Sequence, residues 1–244
     1  MNVAIITAHA GARPGANKHI WPVHGQPMVQ YPIRAAQDAR RVREVWVTTD
    51  SEGIAEAARE AGAKLIAAPA GPAGDPVGHG DVVKHVVEHI DAHVADLENV
   101  VLLLGSTVYV DSEIIDLALG ILEDRKDLDS VMTVWEAVDD HPYRALQISG
   151  DGLLESFGGS RKVARERPSY PKAYFYDQGV WAFRKQTVAC QDGLEPWSWM
   201  GKRIHPIVRP WVTGRDLHSP IDLFFSEHWV QHPEVVKKLN EDNH

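Results

Sequence analysis

The sequence predicts an α/β protein with a Rossmann-like, doubly wound and mostly parallel sheet. Three observations carry this. Short apolar runs of strand length, at residues 2–8, 44–49, 64–67 and 100–104, alternate with segments patterned as helices. The runs are too short for ordinary helices and carry consecutive apolar residues, as strands buried on both faces do. The first run opens into a glycine-punctuated basic loop, which places a ligand crevice at the carboxyl end of a first parallel strand.

The elements follow in order. After the strand at 2–8, residues 27–40 carry Met28, Tyr31, Ile33 and Ala35-Ala36 at helical spacing behind a proline. A strand at 44–49 ends at Asp50-Ser51, either of which can cap a helix over 52–61, and Gly62 stops that helix. A strand at 64–67 completes a strand–helix–strand–helix–strand unit of parallel pairs joined by right-handed crossovers. Residues 68–80 are rich in Ala, Pro and Gly and read as a loop. Val82, Val83, Val86, Val87 and Ile90 mark a helix over 81–93. The strand at 100–104 closes at Gly105-Ser106-Thr107, and a helix over 111–122 precedes a strand at 130–136.

Beyond Asp139 the texture changes. Residues 144–148 and 153–157, joined by Ser149-Gly150-Asp151-Gly152, read as a β-hairpin. Residues 158–171 hold glycines, basic residues and prolines, as a mobile or partner-facing segment would. A strand at 173–183 follows, then a loop holding Trp197, Trp199 and Trp211, then a helix from Pro220. One domain over 1–244, with residues 140–180 as a projecting β-arm, fits this order.

Composition bounds the function. With 244 residues, 44% hydrophobic and 24% charged, the chain can bury a substantial core. A net charge of −9 opposes nonspecific nucleic-acid binding, although the first loop is locally basic. The lone cysteine, Cys190, permits no internal disulfide and predicts a reducing compartment. No run reaches the roughly 20 apolar residues of a membrane span, and the first run lacks a basic leader, so a cytoplasmic protein is expected.

The chemistry-bearing segments are few. In the loop after the first strand, Gly11 and Gly15 can turn N–H groups toward an anion, while Arg13 and Lys18 supply charge, so the loop reads as a phosphate cradle. It matches neither G-x-G-x-x-G nor a Walker A sequence, and a solvated turn is the plainer alternative. Gly105 and Ser106 lie where an α/β sheet meets its ligand. Asp216 and His218 alternate on one face and could hold Mg²⁺ through carboxylate oxygen, while Ser219 caps the last helix. His85-Val86-Val87-Glu88-His89 matches H-x-x-E-H. Its histidines flank an apolar valine face and no later acidic ligand is evident, so a packed helix outweighs a zinc hydrolase. Cys190 has no neighbouring base, and no G-x-S-x-G elbow is present.

Taken together these segments resemble the cytidylyltransferases that make CMP-activated sugar acids, the CMP-sialic acid, CMP-legionaminic acid and CMP-Kdo synthetases. The run from Ala8 to His19, followed by Gly25-Gln26-Pro27, stands at the family's A-R-x-x-S-K-x-x-P-x-K-N loop. Thr48-Thr49-Asp50-Ser51 is similar to its S-T-D-S. The segment from Pro69 to Asp75 resembles R-P-x-E-L-A-x-D, and Leu103-Leu104-Gly105-Ser106-Thr107 resembles L-Q-P-T-S. Asp140-His141-Pro142-Tyr143-Arg144 resembles H-H-P-x-K, Gln178-Gly179 stands at its N-G, and residues 216–222 stand at D-I-D-T-E-x-D. The chain departs from the pattern at His9, Ala12, Arg13, His19, Ala68, Leu104 and His218, which marks a divergent member.

The resemblance implies a nucleotide-diphospho-sugar transferase type of sheet, a homodimer built with the β-arm, and transfer of CMP from CTP to an acidic acceptor with release of pyrophosphate. The acceptor would be a nonulosonic or Kdo-type sugar acid, or alternatively a phosphonate; a third reading is a nucleotide-binding protein that has lost catalysis. It further implies that Lys18, Arg13 and Asp216 are catalytic, and that Ala8, His9, Ala10, Gly11, Asp75, Gly105 and Ser106 join Arg13 and Lys18 around the nucleotide. Arg144, Tyr174, Gln178 and Arg167, with Arg161 less central, would face the acceptor. Asp216 and His218 would hold Mg²⁺, for which Mn²⁺ can substitute.

Overall fold

A computed structural model describes residues 1–11, 17–69, 77–157, 170–217, 219–235 and 238. The chain begins with β1 (Asn2–Thr7), a small hairpin of β2 (Pro22–Val23) and β3 (Gln26–Pro27), and α1 (Gln30–Asp38). It continues through β4 (Glu44–Thr49), α2 (Glu52–Glu60), β5 (Lys64–Ala67), α3 (His79–His93), β6 (Asn99–Leu104), α4 (Ser112–Asp124) and β7 (Ser130–Glu136). A second hairpin, β8 (Leu146–Ile148) and β9 (Leu154–Ser156), precedes β10 (Tyr174–Arg184), β11 (Ile204–Val208) and α5 (Pro220–Gln231).

Among the described residues the central sheet has seven strands in the order β11-β7-β10-β6-β1-β4-β5. β1 pairs parallel with β4 and β6, β4 with β5, and β11 with β7. β10 alone runs antiparallel, wedged between β6 and β7. The predicted doubly wound, mostly parallel sheet is therefore present.

The period-2 alternation of strand side chains divides the core between two layers. Ala4 and Ile6 of β1 join a cluster with Ile33 of α1, Ile54 and Ala58 of α2, and Ile115, Leu119 and Leu122 of α4. Val3 and Ile5 face the other way, onto Val83, Val86, Val87 and Ile90 of α3 and onto Phe183 and Trp199. With both faces covered, the strands carry consecutive apolar residues, at 3–6 in β1, 45–47 in β4 and 100–104 in β6.

Two elements differ from the sequence expectation. The helix expected over 27–40 starts at Gln30, because the N–H groups of Met28 and Val29 donate to the carbonyls of Trp21 and His19 (3.0 and 2.8 Å), and Gln26–Pro27 pairs as β3. The tryptophan-bearing loop contains β11, whose Pro206 is tolerated because β11 is an edge strand. α2 starts at Glu52 as expected, with Ser51 in the N-cap position but making no side-chain capping bond, while Asp50 accepts from Ala10 N–H. Ser219 does act at the start of α5, where Asp222 accepts from its N–H and its hydroxyl, both at 2.8 Å.

The expected hairpin at 144–157 is present as β8 and β9, in a sheet of its own. Leu146, Ile148, Leu154 and Phe157 on it are 58–74% exposed. Residues 158–169 of the arm lie outside the described set. No described helix is long and apolar enough to cross a membrane.

Candidate functional site

Strand order reverses between β1 and β6, the topological switch point at which open α/β sheets form their crevice. Gly105 sits there. Its N–H donates to the Thr7 carbonyl at 3.0 Å, and a Cβ on it would lie 2.7 Å from the Ala8 Cβ and 2.9 Å from His19 Cδ2. The carboxyl ends of β1 and β6 and the short helical turn Lys18–Ile20 thus close on one another where only glycine fits. The neighbouring Ser106 is buried and its carbonyl accepts from Leu217 N–H at 3.3 Å.

The first loop leaves this point on internal hydrogen bonds. Ala8 N–H donates to Thr48 O (3.1 Å), Ala10 N–H to Asp50 Oδ1 (2.9 Å) and Gly11 N–H to His9 Nδ1 (3.1 Å). Gly11 has φ +77°, a conformation glycine adopts freely. Asp50 therefore serves the loop, as does Ser51, whose hydroxyl accepts from Asn17 Nδ2 at 3.1 Å. Arg13, the loop's other cation, lies outside the described residues, as do Asp75, Arg161, Arg167 and His218.

Lys18 and Asp216, expected at the triphosphate and at the metal respectively, are in direct contact. Lys18 Nζ donates to both carboxylate oxygens (3.2 and 3.1 Å) and to the Leu217 carbonyl (2.6 Å). Beside them His19 is 4% exposed, and burial, then the neighbouring Lys18 charge, pushes its imidazole down to about 4. It is a neutral ring at physiological pH, hydrogen-bonded to the His9 backbone, with Nδ1 buried and without a partner.

Of the residues expected to face an acceptor, Gln178 is half-buried and its carbonyl accepts from the Thr107 hydroxyl at 3.0 Å, which ties β10 to the loop after β6. Tyr174 is 45% exposed at the start of β10. Arg144 is exposed; its Nη1 donates to Asp139 O at 2.9 Å and pairs with the Asp139 carboxylate at 3.6 Å.

Three residues acquire meaning only in three dimensions. Asp177 is 1% exposed and Arg209 is 4% exposed, and they interact electrostatically behind Gln178. His79, at the start of α3, faces the Thr7 hydroxyl through Nε2 at 3.1 Å and is ringed by Trp181, Trp197 and Trp199. Burial lowers its pKa. An acid placed just before Gln178-Gly179 is a faint sequence signal; Arg209 and His79 carry none.

The H-x-x-E-H segment does not form a metal centre. His85, Glu88 and His89 are exposed while Val83, Val86 and Val87 are buried, and His89 stacks on His93 at 4.5 Å. Among the described residues no group of three or more His, Cys, Asp or Glu side chains could hold a metal ion.

Fold and site define a doubly wound α/β protein with a charged, lysine–aspartate crevice at its switch point. The cytidylyltransferase family's sequence profile matches residues 3–144, and the chain belongs to that family. It is 25% identical over 175 residues to the 3-deoxy-manno-octulosonate cytidylyltransferase of Bdellovibrio bacteriovorus, covering 70% of this chain and 64% of that one. It is 30% identical over 110 residues to the N-acylneuraminate cytidylyltransferase of Escherichia coli, covering 45% of this chain and 25% of that one. The match thus spans less than two thirds of either relative. Among solved structures, CMP:2-keto-3-deoxy-manno-octonic acid synthetase complexed with CTP superposes with a TM-score of 0.67 at 17% identity, over 95% of this chain and 99% of that one. That likeness is one of fold.

Proposed function

We propose that the protein is a cytidylyltransferase that transfers CMP from CTP to an acidic acceptor, a Kdo- or nonulosonic-type sugar acid, and releases pyrophosphate. The observation that carries this reading is the Lys18–Asp216 contact beside Gly105, at the β1/β6 switch point of a chain from this family. The names of both curated relatives, each a sugar-acid cytidylyltransferase, support the acceptor class.

In the proposed reaction an acceptor oxygen attacks the α-phosphorus of CTP. A new P–O bond forms, the α–β bridging P–O bond breaks, and pyrophosphate leaves. Such transfer depends on positioning and charge neutralisation. Lys18 exchanges its Asp216 partner for a phosphate oxygen and holds the leaving group. Gly11 and the adjoining loop, with Arg13, cradle the triphosphate; Ala8, His9, Ala10, Gly105, Ser106 and Asp75 surround the nucleoside. Gln178, Tyr174, Arg144 and Arg167 face the acceptor.

Mg²⁺ suits this donor set. The Asp216 carboxylate is a hard oxygen ligand, and Mg²⁺ is commonly held by one or two carboxylates together with substrate phosphates. Asp216, with His218 through water, would hold it. When bound, Mg²⁺ offsets charge on the triphosphate and the departing pyrophosphate. We further assign residues 1–244 to one catalytic domain, cytoplasmic, with the arm at 140–180 as the contact of a homodimer. The exposed Leu146, Ile148, Leu154 and Phe157 support that surface.

The test is pyrophosphate release from each nucleoside triphosphate with Mg²⁺ and either sugar acids or phosphonates. Release with CTP and a sugar acid is expected. Release with a phosphonate alone reassigns the acceptor, and no release while CTP binds overturns the transferase assignment.

A further inference from the structure

Pairing between β10 and β7 breaks at one place. Tyr176 is opposite Val134 and Trp181 is opposite Met132, so residues 177–180 of β10 all face the single Thr133. This is a large bulge, a device that re-aims side chains next to sites. Asp177 closes it. Its Oδ1 accepts from Gly179 N–H at 2.8 Å and from the Thr133 hydroxyl, whose oxygen accepts in turn from Val180 N–H at 2.8 Å. The Asp177 carbonyl accepts from Trp181 Nε1 at 2.8 Å. The closed bulge is what brings the Gln178 carbonyl to Thr107 at the end of β6.

The same carboxyl group forms a seat for a second segment. A Cβ on Gly214 would lie 2.1 Å from Asp177 Cβ and 2.4 Å from its Oδ2, so the backbone two residues before Asp216 rests directly on Asp177. Arg209 braces the arrangement from behind. Its backbone N–H donates to Val134 O at 2.7 Å, Nη2 donates to Tyr109 O at 3.1 Å, and Nη1 reaches within 2.7 Å of where a Gly179 Cβ would be. Asp177 Oδ2 and Arg209 Nε and Nη1 are buried without hydrogen-bond partners. A pair this costly to bury stays only where its surroundings hold it in place.

We propose that Asp177 is a positioning residue that couples the acceptor strand to the Asp216 segment: one carboxyl group sets both the bulge presenting Gln178 and the depth at which Asp216 sits. This rests on the cytidylyltransferase reading. The test uses the full chain, CTP, and 3-deoxy-manno-octulosonate as the acceptor probe. In Asp177→Ala the acceptor KM should rise about tenfold, the scale of a sub-ångström misplacement. Its Mn²⁺ affinity in the presence of CTP, read by EPR, should fall by a similar factor, while metal-free CTP binding stays at the wild-type value. Asp177→Asn keeps the Oδ1 acceptor and should restore the acceptor KM. Thr133→Val loosens the bulge but leaves the seat, so it should raise the acceptor KM and spare Mn²⁺ affinity.

Wild-type acceptor KM and Mn²⁺ affinity in folded Asp177→Ala overturn the proposal. Should that variant fail to fold, a wild-type acceptor KM in Thr133→Val overturns it. A wild-type protein that binds no CTP instead overturns the functional reading, and this inference with it.

Discussion

Lys18 Nζ bridges both oxygens of Asp216 and the next carbonyl, Leu217 O, joining positions 198 residues apart in sequence. Lys18 is 24% exposed and Asp216 8%, so the contact is largely desolvated and each charge has the other as its partner.

Lys18→Ala removes the proposed phosphate ligand. Its kcat/KM for pyrophosphate release should fall about 10²–10³-fold, as for loss of one donor to developing charge. Its circular dichroism spectrum should remain that of the wild type. Unchanged turnover would take Lys18 out of the mechanism.

The His19 imidazole gives a pH signature. Its pKa is about 4 in the folded protein against 6.5 when exposed, so the unfolded chain binds the extra proton first. The stabilisation is complete above pH 6.5 and is lost as pH falls toward 4, by up to about 3 kcal/mol. Urea unfolding at pH 7 and pH 4.5 should show a steeper loss in wild type than in His19→Asn. Parallel losses would refute the assignment.

Gly105→Ala tests the closure of the crevice. The new methyl meets Ala8 at 2.7 Å and His19 at 2.9 Å, and such overpacking costs about 1–3 kcal/mol. A lower melting temperature together with weaker CTP binding by calorimetry is expected. A variant that melts and binds like wild type would show that the three segments need not close so tightly.

The double substitution Ile148→Asp with Leu154→Asp places charge on side chains 74% and 71% exposed. If the arm forms the dimer contact, light scattering should report a monomer while the melting temperature of the sheet changes little. A surviving dimer would move the contact elsewhere.

Much of the fold was legible because β1, β4 and β6 are buried on both faces and therefore carry unbroken apolar runs, at residues 3–6, 45–47 and 100–104. The edge strand β11 was hidden, since Ile204–Val208 has a central proline and only Ile207 is fully buried. The start of α1 was misplaced because the carbonyls of His19 and Trp21, distant from the helix pattern, capture the N–H groups at 28 and 29. At the site, Lys18 and Asp216 stood out separately, each by its place in a motif, and their direct contact appears only in the folded chain. The Asp177 seat could not be anticipated. It depends on two glycines, Gly179 and Gly214, whose missing side chains matter only once β10 and the Asp216 segment are superposed in space.

The arm has one more property. Ala137 N–H donates to Ala173 O at 2.9 Å, immediately outside the paired ends of β7 and β10. The excursion between them leaves and re-enters the sheet through a zipped seam. Segments of other lengths could be spliced at residues 137 and 173 without altering strand order. Changes within the excursion can then be made without disturbing the β7–β10 pairing, and this seam is the place to graft one hairpin for another.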